Sequence, residues 1–141
     1  YRLIAELGSG GQGTVYRGID LKNGDEVAVK VIEPDVFNEH WKERIFREAH
    51  ALTVLTGTAA VRVLHQVWAD DGAFCLIMEL LRGSDLDKFL RGREALNLRQ
   101  EMAALLPLML PVVETLEFAH NAGILNRDLK PGNIFIWTTG K

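Results

Sequence analysis

Asp128, Lys130 and Asn133 stand within six residues of one another and form the segment richest in chemical meaning in this 141-residue sequence. The run Asn126-Arg127-Asp128-Leu129-Lys130-Pro131-Gly132-Asn133 brings an acceptor, a cation and an amide carbonyl close together along the chain. Phosphoryl transfer needs an acceptor near the attacking hydroxyl, a cation on the phosphoryl oxygens and oxygen ligands for magnesium. A polar turn after a helix would leave these residue types arbitrary. The glycines of Gly8-Ser9-Gly10-Gly11-Gln12-Gly13 are a weaker signal, because glycine clusters also build ordinary turns. A dinucleotide fold needs a helix directly after such glycines, whereas Thr14-Val15-Tyr16 reads as a strand, so that candidate fails. Between two antiparallel strands the loop either folds over phosphates, its backbone N–H groups approaching them, or is a flexible hairpin. The loop alone leaves both open. Lys30 and Glu48 tilt the balance. Lys30 ends the apolar run Val27-Ala28-Val29, and Glu48 falls in the middle of an otherwise apolar helical stripe. An inward carboxylate needs a partner, and Lys30 is the nearest candidate on the preceding strand.

The elements that must hold these residues follow from periodicity. Strands are expected over 1–7, 14–19, 26–32, 61–69 and 73–80, with tight turns at Lys22-Asn23-Gly24-Asp25 and Asp70-Asp71-Gly72. Asn38 to Thr56 reads as a helix, with Trp41, Ile45, Glu48, Leu52 and Leu55 on one face and Gly57 ending it. Ser84 or Asp85 caps a short helix running to about Leu90. Residues 99–121 read as an apolar helix interrupted by Pro107 and Pro111, which predicts a kink or a restart near Pro111. Gly123 ends it, and a last strand is expected over 134–137.

Composition excludes several classes. Lys plus Arg total 16 and Asp plus Glu total 19, a net charge of −3, which is no electrostatic footprint for nucleic acid or an anionic membrane. The single cysteine, Cys75, forms no internal disulfide and fits a reducing compartment. No apolar stretch is long enough to span a bilayer, and no repeat or low-complexity linker divides the chain. His40, His50 and His65 lack metal-ligand spacing.

In its motifs and their order, the sequence resembles a eukaryotic-type serine/threonine protein kinase over essentially the whole chain. Leu7 to Val15 is similar to the kinase glycine-rich loop, and Val27-Ala28-Val29-Lys30 to the third strand with its phosphate-binding lysine. Arg47-Glu48-Ala49 resembles the helix segment whose glutamate pairs with that lysine, and Asn126 to Asn133 the catalytic loop. The resemblance implies an α+β, protein-kinase-like fold. A five-stranded antiparallel N-lobe sheet with one long helix (1–81, ATP-binding) precedes the beginning of a mainly helical C-lobe (82–141). By the same resemblance Asp128 orients or deprotonates the substrate hydroxyl, Lys130 steadies the γ-phosphoryl and Asn133 binds magnesium. Lys30 holds the α- and β-phosphates while Glu48 fixes its position. Gly8, Gly10 and Gly13 cover the phosphates. Leu7, Val15, Ala28 and Phe135 sandwich adenine. Met78 is the gatekeeper, Glu79 to Leu81 the hinge, and Asp85 reaches the ribose or a substrate side chain. The implied ligands are ATP and Mg2+, and the implied partner is a protein presenting Ser or Thr. No nucleic acid and no membrane contact are expected in this segment. The implied location is the cytoplasm, or the cytoplasmic domain of a larger protein.

The sequence departs from the family at four places. Asn126 replaces the usual His or Tyr, Gln12 replaces an aromatic at the loop tip, and Pro107 and Pro111 fall within a helix the family keeps unbroken. The Asp-Phe-Gly motif with the second magnesium-binding aspartate is expected beyond Lys141, which implies low stability and no measurable transfer by the 141 residues alone. The competing readings are a pseudokinase-type nucleotide-binding or scaffold module and a small-molecule kinase. Lys130-Pro131 and the full glycine loop favour protein substrates over the latter.

Overall fold

The computed structural model describes residues 1–11, 13–34, 40–91 and 98–137. Two compact units emerge, one formed by Tyr1–Thr56 with Val61–Leu80, the other by Gly57–Ala60 with Leu81–Lys141.

The first unit is built on strands β1 (Arg2–Gly10), β2 (Gly13–Ile19), β3 (Glu26–Ile32), β4 (Val63–Trp68) and β5 (Phe74–Glu79), with helix α1 (Trp41–Val54) between β3 and β4. All pairings are antiparallel, in the order β1-β2-β3-β5-β4. β1 and β2 extend further into the glycine segment than the sequence suggests, so that Gly10 pairs with Gly13. Gly13 has φ +117°, and a Cβ there would lie 2.3 Å from the Val31 carbonyl oxygen, so only glycine fits. The expected turn at residues 22–25 forms, with Gly24 at φ +81° and the Lys22 N–H donating to Asp20 Oδ1.

Opposite residues across the ladder share a sheet face, which puts Val15, Lys30 and Leu76 together and Ala28 beside Met78. That face packs on α1 through Ala28, Ile32, Phe74, Leu76 and Met78 against Trp41, Ile45 and Ala49. Aromatic contacts hold the helix down, Trp41 edge-on at 5.9 Å and Phe46 tilted at 6.0 Å from Trp68, which itself lies 4.9 Å from Phe74 within the sheet. Such pairs contribute about 0.5–1.5 kcal/mol each beyond their buried area. The helix is shorter than the sequence suggests. It stops before Leu55, and its core stripe runs through Trp41, Ile45 and Ala49 with Leu52 packed against it, so Ala49 stands in the stripe where the sequence pattern puts Glu48. The expected start at Asn38 lies outside the described residues. The other sheet face buries Val27, Val29 and Ile77, with Cys75 at its margin. Burial pushes the Cys75 thiol up, and the nearby Asp71 and Glu33 charges add to the shift.

The second unit contains β6 (Gly83–Asp85), helices α2 (Leu86–Arg91) and α3 (Leu98–Asn121), a 3-10 turn at Pro131–Asn133 and β7 (Phe135–Trp137). The capping expectation resolves to Asp85, whose Oδ1 accepts the Lys88 N–H at 2.8 Å. β6 and β7 pair antiparallel. Of the two outcomes expected, a kink or a restart, the restart does not occur: α3 runs as one helix through Pro107 and Pro111. Each proline removes one donor from the ladder, yet its fixed φ suits a helix, and the remaining rungs of the 24 residues carry the element. Thr115 Oγ1 donates to the Pro111 carbonyl at 2.8 Å within the same stretch and accepts the Ala59 N–H at 3.1 Å. Gly123 closes α3 with φ +75°, the Ile124 N–H reaching back to the Ala119 carbonyl at 2.8 Å.

Candidate active site

In the first unit, Lys30 Nζ donates to Glu48 Oε1 at 2.8 Å, with the lysine side chain 16% and the glutamate 36% exposed. Trp41, Ile45 and Ala49 fix the rotation of α1, so Glu48 flanks the buried stripe and meets the sheet face that carries Lys30. Val15, Ala28 and Met78 lie on that same face, Ala28 and Met78 buried and Val15 partly so. Leu7 is exposed on β1. Gly8 and Gly10 require no left-handed backbone, and a Cβ on either would meet nothing within 4 Å. The fold therefore does not demand glycine at these two positions, in contrast to Gly13.

Glu79 is tied down from both its backbone and its side chain. Its N–H donates to the Arg62 carbonyl at 3.0 Å, and its Oε1 accepts the Arg62 N–H at 2.8 Å. Sequence reasoning missed Arg62, because its two short contacts run through its backbone and its guanidinium comes no nearer than 4.0 Å to Glu79 Oε2.

In the second unit, Asp128 is tied at every polar group. Its N–H donates to Asn126 Oδ1 at 2.9 Å, and its carbonyl accepts from Asn133 Nδ2 at 2.7 Å. Lys130 Nζ reaches its two carboxylate oxygens at 2.9 and 3.0 Å, and Asn133 Nδ2 lies 2.9 Å from Oδ2. The 3-10 turn, with Pro131 at its start, brings Asn133 back beneath Asp128. The hydrogen bonds from Lys130 and then Asn133 lower the Asp128 pKa, against a smaller opposing effect of desolvation. A lowered pKa makes Asp128 a weak base and a firm anionic acceptor.

Asp85 and Phe135 are register partners across β6 and β7, with Phe135 exposed. The Asp85 carboxylate is engaged on both oxygens, by the Lys88 N–H at 2.8 Å and by Lys88 Nζ at 3.1 Å. Leu81 follows β5 and is half-buried. The site residues thus form two groups, Lys30 with Glu48 in one unit and Asp128 with Lys130 and Asn133 in the other.

The profile of the protein kinase domain family matches residues 1–141. This chain belongs to that family, and its sheet and helices are those of a kinase domain. Its relatives are named serine/threonine-protein kinases. It is 36% identical to serine/threonine-protein kinase pkn2 of Myxococcus xanthus over 137 residues, 96% of this chain and 16% of the relative. Against serine/threonine-protein kinase PknA of Mycobacterium tuberculosis it is 34% identical over 146 aligned positions, covering 100% of this chain and 33% of the relative. MAP kinase-interacting serine/threonine-protein kinase 1 of Xenopus tropicalis is 34% identical over 95% of this chain and 31% of its own length. The chain therefore spans a third or less of these relatives. The family uses ATP and magnesium and acts on proteins. Among the described residues no helix is long and apolar enough to cross a membrane.

Proposed function

We propose that this chain carries the ATP-binding and phosphoryl-transfer residues of a serine/threonine protein kinase, moving the γ-phosphoryl of Mg-ATP to a protein hydroxyl. The observation that supports it most is the Asp128 cluster, an anionic acceptor fixed by one cation and one amide within six residues. The substrate hydroxyl oxygen forms the new bond to the γ-phosphorus as the bond to the β–γ bridging oxygen breaks. ADP departs, and the hydroxyl proton passes to Asp128. Because its pKa is lowered, Asp128 acts chiefly by orienting the hydroxyl and takes the proton late. Lys130 shields the transferred group, and Lys30, held by Glu48, receives the α- and β-phosphates.

The residues present fit the nucleotide. Gly8 and Gly10 leave open space beside the backbone that the fold itself does not require, and a phosphate chain would occupy it. In the first unit Leu7, Val15, Ala28 and Met78 supply apolar surface for adenine, with the Glu79 backbone at its polar edge; Leu81 and Phe135 of the second unit are assigned to adenine by the family resemblance alone. Asn133 commits its Nδ2 to Asp128, which leaves its side-chain oxygen as the group that would hold magnesium. Magnesium, when bound, neutralises charge on the phosphoryl oxygens. Asp85 reaches a ribose or substrate group only by sharing or releasing its cap on α2. We place the site in the cytoplasm, where ATP is present and Cys75 stays reduced. With Lys30, Asp128 and Asn133 all in place, nothing favours a catalytically silent scaffold.

The test is incubation of the full-length protein with γ-labelled Mg-ATP and a mixed protein substrate, followed by phosphoamino acid analysis. Label on Ser and Thr, lost in Lys30→Met, is expected. Label on Tyr, or label unchanged in Lys30→Met, would contradict the reading.

A further inference from the structure

Asp128 is approached from two sides along the chain. From the C-terminal side, Lys130 and Asn133 hold its carboxylate and Asn133 holds its carbonyl. From the N-terminal side, its N–H is held by Asn126 at 2.9 Å. That contact closes a turn two residues long, a geometry that Asn, Asp, Ser and Thr side chains can make with the backbone and that imidazole and phenol rings do not make in this form. Upstream, the next backbone anchor is the Gly123 turn, where the Ile124 N–H bonds the Ala119 carbonyl. The direction in which the chain enters Asp128 is thus set at two points, the end of α3 and the Asn126 turn. Asn126 occupies the position where the resemblance leads one to expect His or Tyr, and it braces the loop by different means, through the main chain of the catalytic residue itself.

We propose that Asn126 is a positioning residue for phosphoryl transfer, acting through the Asp128 N–H to aim the carboxylate that receives the substrate hydroxyl. The proposal rests on the kinase reading above. Misdirecting a reacting group by even a fraction of its reach lowers the chemical step while leaving nucleotide binding intact. Loss of the Asn126 turn therefore falls on kcat, and the KM for ATP stays close to its wild-type value, because the Asn126 turn holds the Asp128 N–H and no group assigned to the nucleotide. An uncharged acceptor at the same place restores the turn more weakly, as a serine hydroxyl does.

The experiment compares wild type, Asn126→Ala, Asn126→Ser and Asp128→Ala in the full-length protein, measuring kcat and the KM for ATP with a Ser/Thr protein substrate. In Asn126→Ala, kcat falls on the order of tenfold with the ATP KM within about twofold of wild type, and Asn126→Ser recovers a good part of the loss. The retained KM reports that the variant is folded and binds nucleotide. If Asn126→Ala matches wild type while Asp128→Ala is inactive, the positioning role is wrong and the kinase reading stands. An Asn126→Ala loss that serine does not relieve, or one that appears in the ATP KM, also overturns it. Equal rates in wild type and Asp128→Ala would remove the kinase reading and this proposal with it.

Discussion

Lys30 and Glu48, 18 residues apart in sequence, meet at 2.8 Å, one on the central strand β3 and the other on the flank of α1. The helix is turned to this angle by Trp41, Ile45 and Ala49, whose burial leaves position 48 facing the sheet. The pair is partly screened by solvent, so its contribution to stability is modest, about 1 kcal/mol. Its larger effect is on where the ammonium sits. Glu48→Gln should therefore melt within a few degrees of wild type, while kcat/KM for ATP falls on the order of tenfold or more. Thermal melts beside steady-state kinetics check this, and unchanged kinetics would remove Glu48 from the site.

The glycines of the loop separate into two kinds. A Cβ at Gly13 collides with the Val31 carbonyl and needs a positive φ, so Gly13→Ala should cost roughly 2–4 kcal/mol. Gly10→Ala meets nothing in the folded chain and should leave the melting temperature nearly unchanged. If Gly10 borders the phosphates, the same substitution weakens Mg-ATP binding by calorimetry. A Gly10→Ala protein that binds ATP as wild type does would place the phosphates elsewhere.

Asp85 carries a pH signature. The Lys88 backbone N–H, then its ammonium, lower the Asp85 pKa below its ordinary value. A carboxyl depressed in the folded state stabilises fully above its unfolded pKa of about 3.9, and that stabilisation is lost as pH falls through the folded value. The cap on α2 should therefore hold through the ordinary aspartate range and be lost only as pH falls through the lowered folded value. Carbon NMR of the Asp85 carboxyl should give a midpoint under that of a free aspartate. Asp85→Asn, which keeps an acceptor without a titrating charge, should hold the Lys88 amide resonance steady over the same range.

Much of this architecture is visible in residue patterns, and what is not has local causes. Alternation of apolar residues marks the strands, and a carboxylate at the edge of the apolar stripe of α1 marks the Lys30 pairing in the sequence itself. Ala49 is a weak signal in a hydrophobic pattern, although as a small residue it is what allows the helix to approach the sheet closely. The continuity of α3 through Pro107 and Pro111 is hidden because propensity prices each proline alone, while the length of the helix spreads the loss. The close contacts between Glu79 and Arg62 run to backbone atoms, which residue type does not reveal, with only a long ion pair at 4.0 Å between the side chains. Asn126 was legible as a departure from the family; only the geometry shows that it grips the Asp128 N–H.

The most direct test compares γ-phosphoryl transfer from Mg-ATP to a Ser/Thr protein substrate by wild type and by Asp128→Ala, with Mg-ATP affinity measured on both. Transfer by Asp128→Ala should fall on the order of 10²–10⁴-fold with nucleotide affinity retained, because Asp128 acts on the hydroxyl and not on the nucleotide. Equal transfer by the two proteins would contradict this.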